Sequence, residues 1–315
     1  MFKILRTCLV VLLATAGFAA GGARPAEAIA NGQNARDGAY PFAARLTMTG
    51  LPADNGETRD SSCSGALVAP RWVITAGHCF RDRGGRRVSR TVARRTTATL
   101  GRTRVAGPGG QEIEVVAVRQ SDTADVALAE LRTAVTGITP LRIGTTEPVV
   151  GEVVRLAGFG LMTDSEDNPA TRLQTGQFTV GSVGPALIET SGRAPHADTS
   201  PCRHDSGAPY FRELNKNKEL VALVSSGPAC PHRGGDSSAR IDNISGWIGA
   251  TIATEPSGTA DRWWLWPAVL AVVVLVAMLG LLRFRPRRPM VVDRTVHYRG
   301  DLHGAAAQRD RAAAR

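Results

Sequence analysis

Cys202-Arg203-His204-Asp205-Ser206-Gly207-Ala208-Pro209 decides the reading of this chain, because Thr75-Ala76-Gly77-His78-Cys79 and Asp125-Val126-Ala127-Leu128 precede it. In that order the three segments supply a base, an orienting carboxylate and a nucleophile. A serine hydroxyl is a poor nucleophile at neutral pH unless an imidazole takes its proton and a buried carboxylate holds that imidazole in the right tautomer. Each segment alone is a weak signal, since Asp-Ser-Gly is also an ordinary turn and a histidine beside a cysteine is often a packed one. Together they are a strong one. Asp122 is a rival carboxylate, but Asp125 precedes the apolar run 126–128, which puts it at the start of a buried strand and makes it the better orienting group.

These segments resemble the catalytic motifs of the chymotrypsin/trypsin family of serine endopeptidases. The surrounding pattern agrees with an all-β domain: short runs rich in β-branched residues recur at 42–48, 66–75, 112–119, 152–159, 177–183, 186–189 and 220–226, punctuated by Gly, Pro and Asp. The resemblance implies two six-stranded antiparallel β-barrels with the cleft between them, a seam near 133–140, and a closing helix over 241–252. Ile244, Trp247, Ile248 and Ile252 there fall at helical spacing. It further implies His78 as general base, Asp125 as its orienting partner, Ser206 as nucleophile, and the amides of His204 and Ser206 as the oxyanion hole. No cofactor or metal ion is required, and the substrates are proteins or peptides.

Of five cysteines, Cys8 lies in an apolar leader, leaving Cys63, Cys79, Cys202 and Cys230. Four cysteines allow three pairings, and the sequence does not choose among them. The resemblance implies Cys63–Cys79, closing the loop that presents His78, and Cys202–Cys230, bracing the specificity pocket. It also places Ser200 at the pocket floor, with Ser225 and Gly227 on the strand that pairs with substrate. Serine at the floor favours an uncharged P1 side chain; Asp236, aligned with a pocket-wall glycine, is a carboxylate that attracts a basic one.

Two departures from the family pattern stand out. Glycine is usual where His204 and Ala208 are found, and a Cβ at 204 resists backbone conformations that glycine tolerates. A second class of reading is therefore a protease-fold binding module whose oxyanion hole is impaired, or an enzyme that a partner activates. A third is a zinc site from Cys202, His204, Cys230 and His232, disfavoured because Cys-x-His spacing is tight and exported chains favour disulfides.

Residues 1–28 read as a secretory signal: Lys3 and Arg6, then an apolar stretch, then Ala26-Glu27-Ala28 as a cleavage site. Ile29-Ala30-Asn31-Gly32 resembles the family's mature amino terminus, whose ammonium inserts beside the carboxylate before the nucleophile, here Asp205. Removal of the leader then creates that terminus directly; cleavage near Ala20 followed by trimming is the competing route. The protease domain is expected over 29–252, a linker over 253–262, a membrane helix over 263–282 and a basic tail over 283–315. The uncharged run 263–282 would span about 30 Å as a helix. Trp263, Trp264 and Trp266 suit an interface, and Arg283, Arg285, Arg287 and Arg288 place the tail in the cytoplasm and the catalytic segments outside a plasma membrane. Of the net +10, the tail holds nine arginines against three aspartates, whereas 29–262 holds 26 basic against 24 acidic residues. Membrane topology accounts for the excess without any nucleic acid. The seven arginines in 81–95 lack interleaved aromatics and read as a solvated loop.

Overall fold

A computed structural model of the chain describes residues 29–53, 56–164, 170–214, 217–254 and 265–283. The leader (1–28), most of the linker and nearly all of the tail lie outside the described residues, as do Trp263 and Trp264. The chain forms two compact units, Met1–Thr259 and Ala260–Arg315.

The first unit contains two antiparallel barrels. Strands β2 (Ala43–Pro52), β3 (Thr58–Ala69), β4 (Trp72–Thr75), β5 (Arg95–Leu100), β6 (Gln111–Gln120) and β7 (Ala127–Leu131) close in the order β2-β3-β4-β7-β6-β5. Strands β9 (Val153–Gly158), β10 (Gln174–Val183), β11 (Leu187–Ala194), β12 (Pro209–Leu214), β13 (Asn217–Ser226) and β14 (Asp236–Arg240) form the second ring, with β9 pairing to both β10 and β12. Two short strands lie outside the rings: β1 (Gln33–Asn34) pairs with β10, and β8 (Arg142–Ile143) pairs parallel to β13. The connection between barrels runs along the first one, through Val135 N–H to Pro70 C=O and Leu141 N–H to Leu67 C=O.

Local sequence explains most of these elements. In β6, Ile113, Val115 and Ala117 point inward at period two while the residues between them are partly exposed or outward. The run 66–75, expected as one strand, is two: Pro70 has no N–H to donate to a ladder, and the chain turns there so that Ala66 faces Ile74 and Leu67 faces Val73. Strand β7, Ala-Leu-Ala-Glu-Leu, has no β-branched residue and is buried along its whole length, so burial rather than propensity holds it extended. The closing helix is a 3-10 turn, Asp242–Ile244, continued by α1 (Ser245–Ala253); Ile244 and Ile248 are buried, with Trp247 and Ile252 packed beside them.

The barrels share one apolar core across their seam. Phe211 of the second barrel lies 5.4 Å from Phe42 of the first, edge to face, and 5.2 Å from Tyr40. Phe211 is fully buried.

In the second unit, helix α2 (Leu265–Arg283) is apolar around its circumference, and its described side chains, those of residues 270–279, are exposed. Among the described residues no helix is long and apolar enough to cross a membrane.

Truncating Phe211 removes a ring that both barrels contact. Phe211→Ala is expected to lower unfolding stability by about 3–5 kcal/mol, the usual cost of emptying a buried aromatic site. Urea unfolding followed by tryptophan fluorescence measures it.

Candidate active site

The site is assembled from turns at the barrel seam. Strand β4 ends in a 3-10 turn, Gly77–Phe80, that carries His78. Asp125 sits just before β7. Its Oδ1 accepts the His78 amide at 2.8 Å and its Oδ2 lies 2.7 Å from His78 Nδ1. A Cβ on Gly77 would come within 3.0 Å of Asp125 Oδ1, so glycine gives the carboxylate its close approach. The Ser225 hydroxyl of β13 also donates to Oδ2, at 2.7 Å.

Burial opposes the charge on Asp125. The hydrogen bond and charge of His78, with the Ser225 hydroxyl and the His78 amide, outweigh it and hold the carboxyl below its usual range. An ionised Asp125 requires the proton of the neutral imidazole to sit on Nδ1, leaving the Nε2 lone pair free. Asp122 turns elsewhere: its carboxylate is 90% exposed and pairs with Arg87 at 2.8 Å.

Ser206 lies on a loop wedged between the barrels. Its carbonyl accepts the Ser64 amide of β3 at 3.0 Å, and the next amide, Gly207 N–H, donates to Val224 of β13 at 2.8 Å. Gly207 has φ +80°, and a Cβ there would strike Thr75 Oγ1, Ala76 N and Ser64 O. Only glycine satisfies both conditions. His204 also has a positive φ, +72°. Its carbonyl accepts the Ser64 hydroxyl at 3.1 Å, and its Nδ1 lies 2.8 Å from the Ser62 carbonyl. Among the described hydrogen bonds, the amides of His204 and Ser206 donate to no protein acceptor, and none joins the Ser206 hydroxyl to His78.

Beside Ser206 opens a cavity of about 370 Å³, whose lining includes Ser225, Gly227, Asp236, Cys202 and Asp164. Ser200, expected at its floor, is fully buried and is not among the lining residues; its hydroxyl accepts the His232 amide at 3.2 Å. The carboxylate of this pocket is Asp236, 1% exposed, with Oδ1 3.2 Å from His232 Nε2 and Oδ2 unpartnered among the described residues. A Cβ on Gly227 would collide with it. Sequence reasoning missed His232 in this role, although its i, i+4 spacing to Asp236 was available, and it missed Ser62 and Ser64, which carry no local signal.

Asp205 is fully buried, accepting the Gly160 amide at 2.8 Å and the Cys202 amide at 3.0 Å. Burial pushes its carboxyl up to about 7 against the pull of those two amides. Ile29 is also fully buried, in the apolar cluster that contains Ala208, and Ala30 C=O accepts Ser200 N–H at 3.1 Å. In the chain in which residue 28 precedes Ile29, no described hydrogen bond or ion pair joins Ile29 to Asp205. Disulfides join Cys63 to Cys79 and Cys202 to Cys230. The second removes the thiolates that a zinc site would need. Each crosslink contributes roughly 2–4 kcal/mol, mainly by restricting the unfolded chain.

Two antiparallel barrels, with a histidine, an aspartate and a serine brought to their seam, define a chymotrypsin-like class of protein. Residues 29–248 match the family described as Trypsin, and the chain belongs to that family. It is similar to mouse Serine protease 56, 28% identical over 73% of this chain and 39% of that protein. It is also similar to pig Coagulation factor XII, 24% identical over 65% of this chain and 36% of that one. Human Chymotrypsin-like elastase family member 3B is 32% identical over 25% of this chain and 27% of its own. The chain thus spans less than two-fifths of the length of these relatives. Among solved structures, mouse neuropsin superposes with a TM-score of 0.56 at 22% identity, over 71% of this chain and all of that one, a likeness of fold.

Burial, and then the charge of Asp205, push the Asp236 carboxyl up to about 8. A folded-state value above the unfolded one means that the folded protein holds the extra proton between about pH 4 and pH 8, so this group's contribution to stability falls as pH rises through that window. Asp236→Asn is therefore expected to gain thermal stability relative to the parent between pH 5 and pH 9, measured as the difference in Tm at each pH.

Proposed function

We propose that the chain is a serine endopeptidase acting through an acyl-enzyme. The observation that carries this reading is the hydrogen-bonded run from His78 through Asp125 to Ser225, ending at the cavity that Ser206 lines. Ser206 Oγ attacks the scissile carbonyl as His78 Nε2 takes its proton, and the protonated imidazole later gives that proton to the leaving amine. Asp125 keeps the proton on Nδ1 and stabilises the imidazolium. The amides of His204 and Ser206, which donate to no protein acceptor among the described residues, receive the oxyanion. The strand carrying Ser225 and Gly227 pairs with the substrate main chain.

The pocket takes a basic P1 side chain. Asp236 lines the cavity beside Ser206, and a cation beside it restores the ionised carboxylate that burial disfavours. His232 Nε2 lies 3.2 Å from Asp236 Oδ1, and Oδ2, unpartnered among the described residues, is the oxygen left for a P1 cation.

Activation follows from the leader. Cleavage after Ala28 frees the Ile29 ammonium to neutralise Asp205, whose burial without a cation is costly. The uncharged run 263–282 is placed across the plasma membrane on its sequence alone, since no described helix is long and apolar enough to span one, with 253–262 outside and the arginine-rich tail 283–315 in the cytoplasm. The uncharged run and the arginines that follow it support this arrangement. The domain 29–252 then faces outward and acts on exported or envelope proteins within reach of the linker.

The decisive experiment is turnover of a P1-varied fluorogenic peptide library by the full chain, expressed from residue 1 and extracted in detergent. Cleavage after Arg and Lys is expected, absent in Ser206→Ala and reduced about 10⁴-fold in Asp125→Asn, in which the amide favours the wrong tautomer. A folded, disulfide-intact protein that cleaves nothing refutes the enzyme; cleavage confined to apolar P1 refutes the pocket. Edman sequencing of the active protein is expected to begin at Ile29, and a start at Gly21 would exclude direct activation.

A further inference from the structure

We infer that His204 is a positioning residue whose imidazole straps the nucleophile loop to strand β3, holding the residue-204 amide where a backbone donor is needed. The inference rests on the serine-peptidase reading for its consequence in catalysis, and on geometry alone for the strap.

The backbone of residue 204 is in the left-handed region, φ +72°, where an L side chain is disfavoured. A bare substitution of the glycine usual in this family would be expected to relax out of it. Three hydrogen bonds oppose that relaxation, all from one edge of β3. The Ser64 amide donates to Ser206 C=O at 3.0 Å, the Ser64 hydroxyl donates to His204 C=O at 3.1 Å, and His204 Nδ1–H donates to Ser62 C=O at 2.8 Å. Ser62 and Ser64 are two residues apart on the strand, so their backbone groups point to the same side. The Ser64 hydroxyl is itself fixed, because it accepts the Phe159 amide at 2.9 Å.

The peptide that carries the 204 amide is held through its own carbonyl, Arg203 C=O accepting the Leu161 amide at 2.7 Å, and the strap fixes the 204 side chain and the peptide that follows; among the described hydrogen bonds the 204 N–H donates to no protein acceptor. Histidine suits the position for two reasons. With asparagine and aspartate it is among the non-glycine residues enriched in the left-handed region. Its Nδ1 also donates to a carbonyl in both the neutral tautomer and the cation. The histidine thus replaces the conformational freedom of glycine with a side-chain tether.

The test compares His204→Ala, His204→Gly and His204→Asn in the full chain, each with a disulfide-intact fold and a Tm close to the parent. Alanine keeps the strain and loses the tether; glycine loses both; asparagine tolerates the left-handed region and has an amide N–H to offer Ser62. Alanine is expected to lower kcat by about 100-fold or more, the effect of one misplaced oxyanion donor, with KM within about threefold. Glycine should give a smaller loss, about tenfold, and asparagine should recover most of what alanine loses.

A His204→Gly enzyme as fast as the parent or faster, or an alanine variant with unchanged kcat, overturns the inference. Hydrogen exchange of the amides in 202–207 provides a readout independent of turnover. Exchange at least tenfold faster in the alanine and glycine variants is expected, and unchanged exchange in both overturns the strap. If exchange responds while neither the parent nor any variant hydrolyses peptides, the strap stands and the peptidase reading falls.

Discussion

Everything at the barrel seam depends on how closely the loop bearing Ser206 can approach strands β3 and β4. Gly207 fits against Ser64 and Thr75 only because it has no side chain, and its φ of +80° turns the chain so that Ser206 C=O meets Ser64 N–H while Gly207 N–H meets Val224 C=O. Thr75 Oγ1 donates to Ser64 C=O at 2.7 Å, so the contact surface is itself braced. The loop is thus hydrogen-bonded to both barrels at once, and their relative placement sets that of Ser206 against His78. The Phe42–Phe211–Tyr40 contact supplies the apolar counterpart on the same seam.

The second barrel holds two buried carboxylates whose charges act on one another. Asp205 and Asp236 are both buried, and the charge of Asp205 adds to the effect of burial on Asp236. Backbone amides satisfy Asp205 but bring no full positive charge, and one oxygen of Asp236 has no described partner. Desolvated carboxylates of this kind favour binding a cation or a proton. That common requirement links Asp205, directly before Ser206, with Asp236 in the cavity wall.

The sequence made the elements whose signals are local easy to read. The alternation in β6 and the helical spacing of Ile244, Trp247, Ile248 and Ile252 reappear as buried faces. The distinction between Asp125 and Asp122 also followed from the apolar run after one of them. Strand β7 was only partly visible because Ala-Leu-Ala-Glu-Leu has no strand propensity, and β4 was merged with β3 because β-branched residues flank Pro70 on both sides. Counting back from Ser206 gives Ser200 a position along the chain, whereas its depth, full burial, goes with the strand bridge to Ala30 that no local pattern announces. The contacts of His204 were not legible because its partners, Ser62 and Ser64, lie about 140 residues earlier, and no local pattern announces a contact of that range.

Ser225 has a consequence for how this protein could diversify. Its strand lines the pocket, so it belongs to the region that would be varied to recognise new side chains, yet its hydroxyl is bonded to the Asp125 carboxylate that faces His78. The cavity lining and the hydrogen-bonded run to His78 therefore share a residue. Loop grafts that reshape the pocket without an oxygen donor at 225 alter the electrostatics of His78 along with selectivity, which confines neutral drift in the pocket to the neighbours of Ser225.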